Sequence, residues 1–171
     1  MLKIKFILIS YMLCYLALGC GYRFSETELL NTGINKIFVP IFKNKTDIPE
    51  AGAIFSNDLS SEFTKNSNIK IVGKDESNAQ IIGNIKSIKI ETISRESQHK
   101  PLERRIKIYL DLKLEDKAGN TIWSRKNSEY TQSYIIVNEN KLLTEENKKA
   151  ALEKISQRYA EEIYLILTSN F

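Results

Sequence analysis

Between Arg105 and Glu115 the chain alternates without a slip: Ile106, Ile108, Leu110, Leu112 and Leu114 are separated by Lys107, Tyr109, Asp111 and Lys113. A period of two sends all five aliphatic side chains to one face of a strand and the polar ones to the other. Such a strand belongs in a sheet with one packed face and one wet face. The rest of the chain must therefore supply neighbours for the strand and a cover for its Ile/Leu side.

Two segments have the right period to be that cover. Ala51, Phe55, Leu59 and Phe63 recur every four residues with Ile54 beside them. They predict a helix over 49–66, opened by Pro49, whose missing N–H is harmless in a first turn. Leu152, Ile155, Tyr159, Ile163 and Ile166 form a similar stripe and predict a closing helix over 145–168, capped by Thr144. The neighbouring strands are expected over 35–43, 69–72, 79–93 and 121–137. Pro40 places the first at a sheet edge or a bulge, because proline cannot donate to a ladder. In the third, Ile81 and Ile85 fall on one face and Ile88 and Ile90 on the other, so a bulge near Lys86-Ser87 is needed to return both sets to the core. Asp116–Asn120 forms a tight connection, and Asn44-Lys45-Thr46 reads as a turn. The order predicts an α+β fold: a mainly antiparallel or mixed sheet of four to five strands, with two helices packed on one face. There is no internal repeat, no low-complexity tract and no sign of a second domain.

The N-terminal segment has another character. Lys3 and Lys5 precede an apolar run from Phe6 to Leu18 broken only by Ser10. Thirteen residues are too few for a spanning helix, which needs roughly 20, but they suit the apolar region of a secretory signal. The run closes on Leu16-Ala17-Leu18-Gly19-Cys20, which resembles a bacterial lipobox. Residues 1–19 are then a signal peptide and Cys20 carries lipid as the first mature residue; the alternative is an ordinary signal that leaves Cys20 as a free thiol. With Cys14 removed and Cys20 capped, no disulfide can form, so burial alone must hold a domain over 34–171. The segment 20–33 is a short tether. At no more than roughly 3.5 Å per residue it keeps the domain within about 50 Å of the bilayer.

Few classes of chemistry survive inspection. There is no Gly-x-Ser-x-Gly, no phosphate-binding Gly-rich loop, no His-Glu-x-x-His and no Cys-x-x-Cys. His99 is the one histidine, in a polar stretch before Pro101, and reads as a solvated loop residue with no second ligand to share a metal. The sequence predicts no enzyme, no cofactor and no metal. The formal charge of +4 is mild, and in an exported chain it does not argue for nucleic acid. One basic cluster stands out between the two long strands: Arg95, His99, Lys100, Arg104 and Arg105. Arginine forks match phosphate oxygens, so such a hairpin tip could grip a phosphorylated glycolipid; the plainer reading is a charged loop that keeps an edge soluble. Tyr22, Phe24, Tyr130 and Tyr134 pose a choice between contact surface and half-buried packing, and packing is favoured.

Several pieces, in order, resemble one family. Cys20-Gly21-Tyr22-Arg23-Phe24 follows the lipobox at once. Val39-Pro40-Ile41-Phe42-Lys43-Asn44-Lys45-Thr46 runs from a strand into a turn. Tyr130 and Tyr134 are followed by Asn147, Ala151, Ile155, Ala160, Ile163 and Phe171. This pattern is similar to the lipopolysaccharide-assembly lipoprotein family LptE. The resemblance implies an outer-membrane, periplasm-facing lipoprotein, anchored through lipid on Cys20. It would plug an LptD-type β-barrel one-to-one, help assemble it and assist lipopolysaccharide delivery to the cell surface. It also implies lipopolysaccharide contact through basic residues near a hairpin tip and before the last helix, where this chain has Arg95, Lys100, Arg104, Arg105 and Lys141. The rival expectation is an accessory or scaffold lipoprotein of an envelope ABC-type transport system with no lipopolysaccharide role.

Overall fold

The alternating strand is the middle of a sheet. The computed structural model describes residues 33–66, 69–94 and 102–169. In chain order these form β1 (Lys36–Phe38), β2 (Lys43–Asn44), α1 (Ala51–Asn66), β3 (Lys70–Ile71), a 3₁₀ turn (Lys74–Glu76), β4 (Ala79–Ser94), β5 (Leu102–Asp116), β6 (Thr121–Ile136) and α2 (Lys141–Ser169). The sheet runs β3-β1-β4-β5-β6, with β2 also on β4. β4, β5 and β6 are antiparallel, while β1, β2 and β3 pair in parallel. The fold is α+β with a mixed, open sheet and two helices. As the alternation requires, Ile106, Ile108, Leu110, Leu112 and Leu114 are all buried beneath the helices. The α1 stripe Ala51, Phe55, Leu59 and Phe63 is fully buried against them. On α2 the stripe is Leu152, Ile155, Tyr159 and Ile163, continued by Leu167, while Ile166 is only half-buried.

Pro40 divides the expected first strand in two. From Phe38 to Lys43 is five residues, while their partners Gln80 and Asn84 on β4 are four apart. The extra residue is accommodated at Val39–Phe42, where proline has no N–H to pair. This detour turns Phe42 into the core at 2% exposure, while Ile41 is left 72% exposed. The ring of Phe42 lies on Gly83: a Cβ built there would stand 2.2 Å from it. Its carbonyl oxygen lies against Gly52 in the first turn of α1, where a Cβ would approach to 2.5 Å.

The bulge expected near Lys86 is present. Pairing steps from Ile85↔Leu110 to Ser87↔Tyr109, and Ile88 and Ile90 then oppose Ile108 and Ile106 on the packed face. Ile88 is half-buried, but Ile90 remains 41% exposed; β1 ends level with Gln80 and β2 with Ile85, and beyond them β4 has no outer neighbour among the described residues. A second irregularity lies in β6, between Arg125 and Ser128, with Asn127 at φ 54°. Asp111 ties the two together, accepting from Lys86 Nζ at 2.9 Å and from the Asn127 N–H at 2.8 Å.

The closing helix starts at Lys141, one turn earlier than expected. Asn140 caps it, its Oδ1 accepting the Leu143 N–H at 3.0 Å, as an N-cap side chain does. Thr144 lies within the first turn, where its hydroxyl accepts the Val137 N–H at 2.9 Å. The helix also seals the outer edge of β6: Asn147 Nδ2 donates to the Ile135 carbonyl at 3.0 Å and Arg158 Nη2 to that of Thr131 at 2.6 Å. Deeper in, Glu162 accepts from Tyr130 Oη at 2.7 Å and from Arg125 at 2.5 Å. Burial pushes the Glu162 carboxyl up, but the hydrogen bonds from Tyr130 and Arg125 outweigh it and hold it below its ordinary value. Burial and the bond to Glu162 raise the Tyr130 phenol well above the usual range. Tyr130 and Tyr134 are packing residues: Tyr134 is buried, and the Tyr130 ring meets Tyr159 edge-on at 5.2 Å.

Two predictions follow from this packing. Gly83→Ala should cost about 1–3 kcal/mol through overpacking against Phe42, and Phe42→Ala about 3–5 kcal/mol. Urea melts of the double variant should show less than the summed loss, because removing the ring makes room for the new methyl; strict additivity would refute the contact. Because the Glu162 carboxyl is lowered in the folded state, its contribution is present above the unfolded carboxylate pKa of about 4.3 and is lost as pH falls through the folded value. Glu162→Gln should lower stability at pH 7 by no more than about 1 kcal/mol, since the ion pair is partly exposed. It should also flatten the fall in melting temperature below about pH 4.5.

Candidate functional site

The basic set expected at the hairpin tip is divided by the structure. Arg95, His99 and Lys100 lie outside the described residues, as do Cys20, Tyr22 and Phe24. Arg104 and Arg105 are consecutive on β5 and so occupy opposite faces of the sheet. Arg104 shares the packed side with Ile106, opposite Thr92 and Tyr134, but lies beyond the covered part of the core and is exposed. Arg105 is on the open side, opposite Glu91 and Ser133. There Lys107 forms an ion pair with Glu91 at 2.8 Å, and that hydrogen bond raises its pKa. Two neighbouring arginines thus serve two surfaces.

Lys141 joins Arg104 at the same end of the molecule by another route. Leu102 pairs with Ile136, and Lys141 begins α2 five residues further on. A cation in the first turn of a helix opposes the macrodipole, and no acidic residue accompanies it there. Helix stability does not account for a lysine at this position.

Sequence reading missed the apolar half of this end. Ile90, Ile93, Ile135, Leu142 and Leu143 are all more than a third exposed, Leu142 to 71%. Ile135 and Ile136 look alike in sequence, but pairing sends Ile136 to the packed side and Ile135 to the open one. The only available signal was Leu142-Leu143 directly after Lys141, just ahead of the amphipathic pattern. Exposed aliphatic and basic side chains thus occur at this end on both faces of the sheet and in the first turn of α2. Nothing in the arrangement resembles a catalytic centre. Among the described residues no three His, Cys, Asp or Glu side chains could hold a metal ion, and no helix there is long and apolar enough to cross a membrane.

Comparison with known proteins bears on the fold and the family. No curated protein matches the sequence. Among solved structures, a chain from Caulobacter crescentus assigned as a lipoprotein superposes with TM-score 0.54 at 13% identity, covering 81% of this chain and 92% of its own. The rare lipoprotein B of Shewanella oneidensis gives TM-score 0.53 at 12% identity over 76% and 91% of the two chains. A lipoprotein B from Nitrosomonas europaea gives 0.51 at 15% over 80% and 83%. At such identities the likeness speaks for the fold alone. The family model for lipopolysaccharide assembly, LptE, matches residues 34–166, from the first buried residue before β1 almost to the end of α2. By that match the chain belongs to the LptE family of lipopolysaccharide-assembly proteins.

Proposed function

We propose that this protein is an outer-membrane lipoprotein that plugs an LptD-type β-barrel and assists lipopolysaccharide delivery through it. In this reading residues 1–19 are removed, Cys20 carries the lipid and the domain faces the periplasm. The observation that carries the reading is the family match along the whole described domain, from Ile34 into α2. The chemistry of the molecule supports it. A lipid-anchored plug catalyses no covalent step; it needs a rigid body and a surface for an amphiphile. Long strands provide the body: β4, β5 and β6 have 16, 15 and 16 residues, roughly 50 Å at about 3.3 Å each. The end bearing Arg104, Lys141, Leu142 and Leu143 provides the surface. Acyl chains would lie along the aliphatic residues, and the phosphates of the headgroup would meet the arginine and lysine. Arg95 and Lys100, which lie between β4 and β5 in the chain and outside the described residues, belong to the same proposed contact, and Arg105 faces the other side of the sheet.

A mild-detergent pull-down of the full-length protein is expected to recover an outer-membrane β-barrel at one-to-one stoichiometry. Cys20→Ala should release the protein from the membrane fraction, since lipid supplies the anchoring free energy. Recovery with inner-membrane transporter subunits instead would overturn the barrel reading in favour of an ABC-type accessory role. Separately, Arg104→Ala/Lys141→Ala should weaken lipopolysaccharide binding at least about tenfold, through the loss of charge-assisted contacts. Undiminished binding by the folded double variant would remove this end of the molecule from the contact.

A further inference from the structure

On the sheet face turned away from the helices, a hollow of about 400 Å³ lies across β2, β4, β5 and β6. Lys43, Asn84, Lys113, Thr121, Ser124 and Lys126 wall it. Pairing explains how residues so distant in sequence meet: Lys43 is level with Asn84, Asn84 with Asp111, and Lys113 with Ser124. These groups are rich in donors, with three ammonium groups, two hydroxyls and an amide. The carboxylate in the wall, Asp111, is already committed to Lys86 and to the Asn127 N–H. Burial raises its carboxyl, but those two partners outweigh burial and keep it ionised below the usual range. Lys113 pairs with Glu115. Lys43 and Lys126 form no ion pair among the described residues; they line the hollow from β2 and β6, and Lys126 lies near enough to Asp111 to help lower its carboxyl. The bulges at Lys86 and Asn127 flank the same row, and bulges recur beside sites because they re-aim side chains.

We propose that this hollow binds the oxyanion of a small polar ligand, a phosphate ester or a carboxylate, between Lys43 and Lys126. Thr121, Ser124 and Asn84 supply further hydrogen bonds, and Lys113 divides its charge between the ligand and Glu115. The volume lies within the range of ordinary small-molecule sites. The site is on the open sheet face at the level of β2, not at the β4–β5 tip, and does not depend on the barrel reading.

The test is an amide chemical-shift titration of the full-length protein in a non-ionic detergent. Inorganic phosphate and glucuronate are added in parallel, with ionic strength held constant by chloride to separate binding from screening. Saturable shifts at Asn84, Thr121, Ser124 and Lys126 are expected, with Kd in the millimolar range or tighter. Lys43→Ala/Lys126→Ala should raise that Kd at least tenfold, and Lys148→Ala/Lys149→Ala on α2 should leave it unchanged. Lys126→Ala alone, at an exposed bulge position, serves if the double variant is unstable. Saturation by glucuronate as well as phosphate assigns a carboxylate-tolerant site; saturation by phosphate alone assigns a phosphate ester. Shifts that follow every surface lysine without saturating, or a double variant that binds as well as the parent, would overturn the proposal. So would a hollow that ignores both anions and is shielded only when a protein partner is added.

Discussion

The ring of Phe42 stacked on Gly83 is the contact on which the rest of the domain depends. It sits at the end of the detour imposed by Pro40, and one residue reaches three elements. The ring covers a strand position with no side chain of its own, the backbone fits against the Gly52 turn of α1, and the far edge meets Tyr159 of α2 at 6.5 Å. Tyr159 in turn touches Phe55 and Tyr130. Two glycines that would weaken a strand and a helix in isolation are therefore the places where those elements can approach each other. An aromatic side chain fills the space they leave, and dispersion contacts at that density are the main reward for close packing.

The second organising feature runs across the sheet. Lys86 on β4 and Asn127 on β6 each interrupt a ladder, and Asp111 on the strand between them binds both. An irregularity on one strand bends that strand alone. Here two lie at the same level and are joined through a shared carboxylate. The line separates two regions that are covered differently. On one side β1, β2 and β3 complete the sheet and the helices cover it; on the other the β4–β5–β6 ribbon continues with no outer neighbour on β4 among the described residues.

Much of this could be read from periodicity alone. The β5 alternation, the fourfold stripe of α1 and the slip between Ile85 and Ile88 are local patterns, and local patterns survive without knowledge of neighbours. The division at Pro40 was legible only as an edge or a bulge, because the register that makes room for Phe42 belongs to β4. The cap of α2 was misplaced by one turn: Thr144 and Asn140 are both good capping residues, and the choice was made by Thr144 bonding to Val137 on the end of β6. The basic residues show the limit most clearly. Arg104 and Arg105 look like one cluster in a row of letters and are two surfaces in a strand. Lys43, Lys113 and Lys126 look unrelated and line one hollow. Sequence distance says little about a sheet in which four strands contribute to a single row.

The sealed edge of β6 has a consequence for how such a protein can keep company. An open strand edge is a template, and any chain with unpaired backbone can be copied onto it. Here Asn147 and Arg158 from α2 already occupy the Ile135 and Thr131 carbonyls that a newcomer would need. For a partner whose own strands are still searching for neighbours, as in a barrel before closure, this matters. Along this stretch the domain can lie beside unfinished β-structure without being zipped into it, and its contacts there must be made by side chains. In the barrel-plug reading proposed above, association of that kind would leave the identity of each sheet intact.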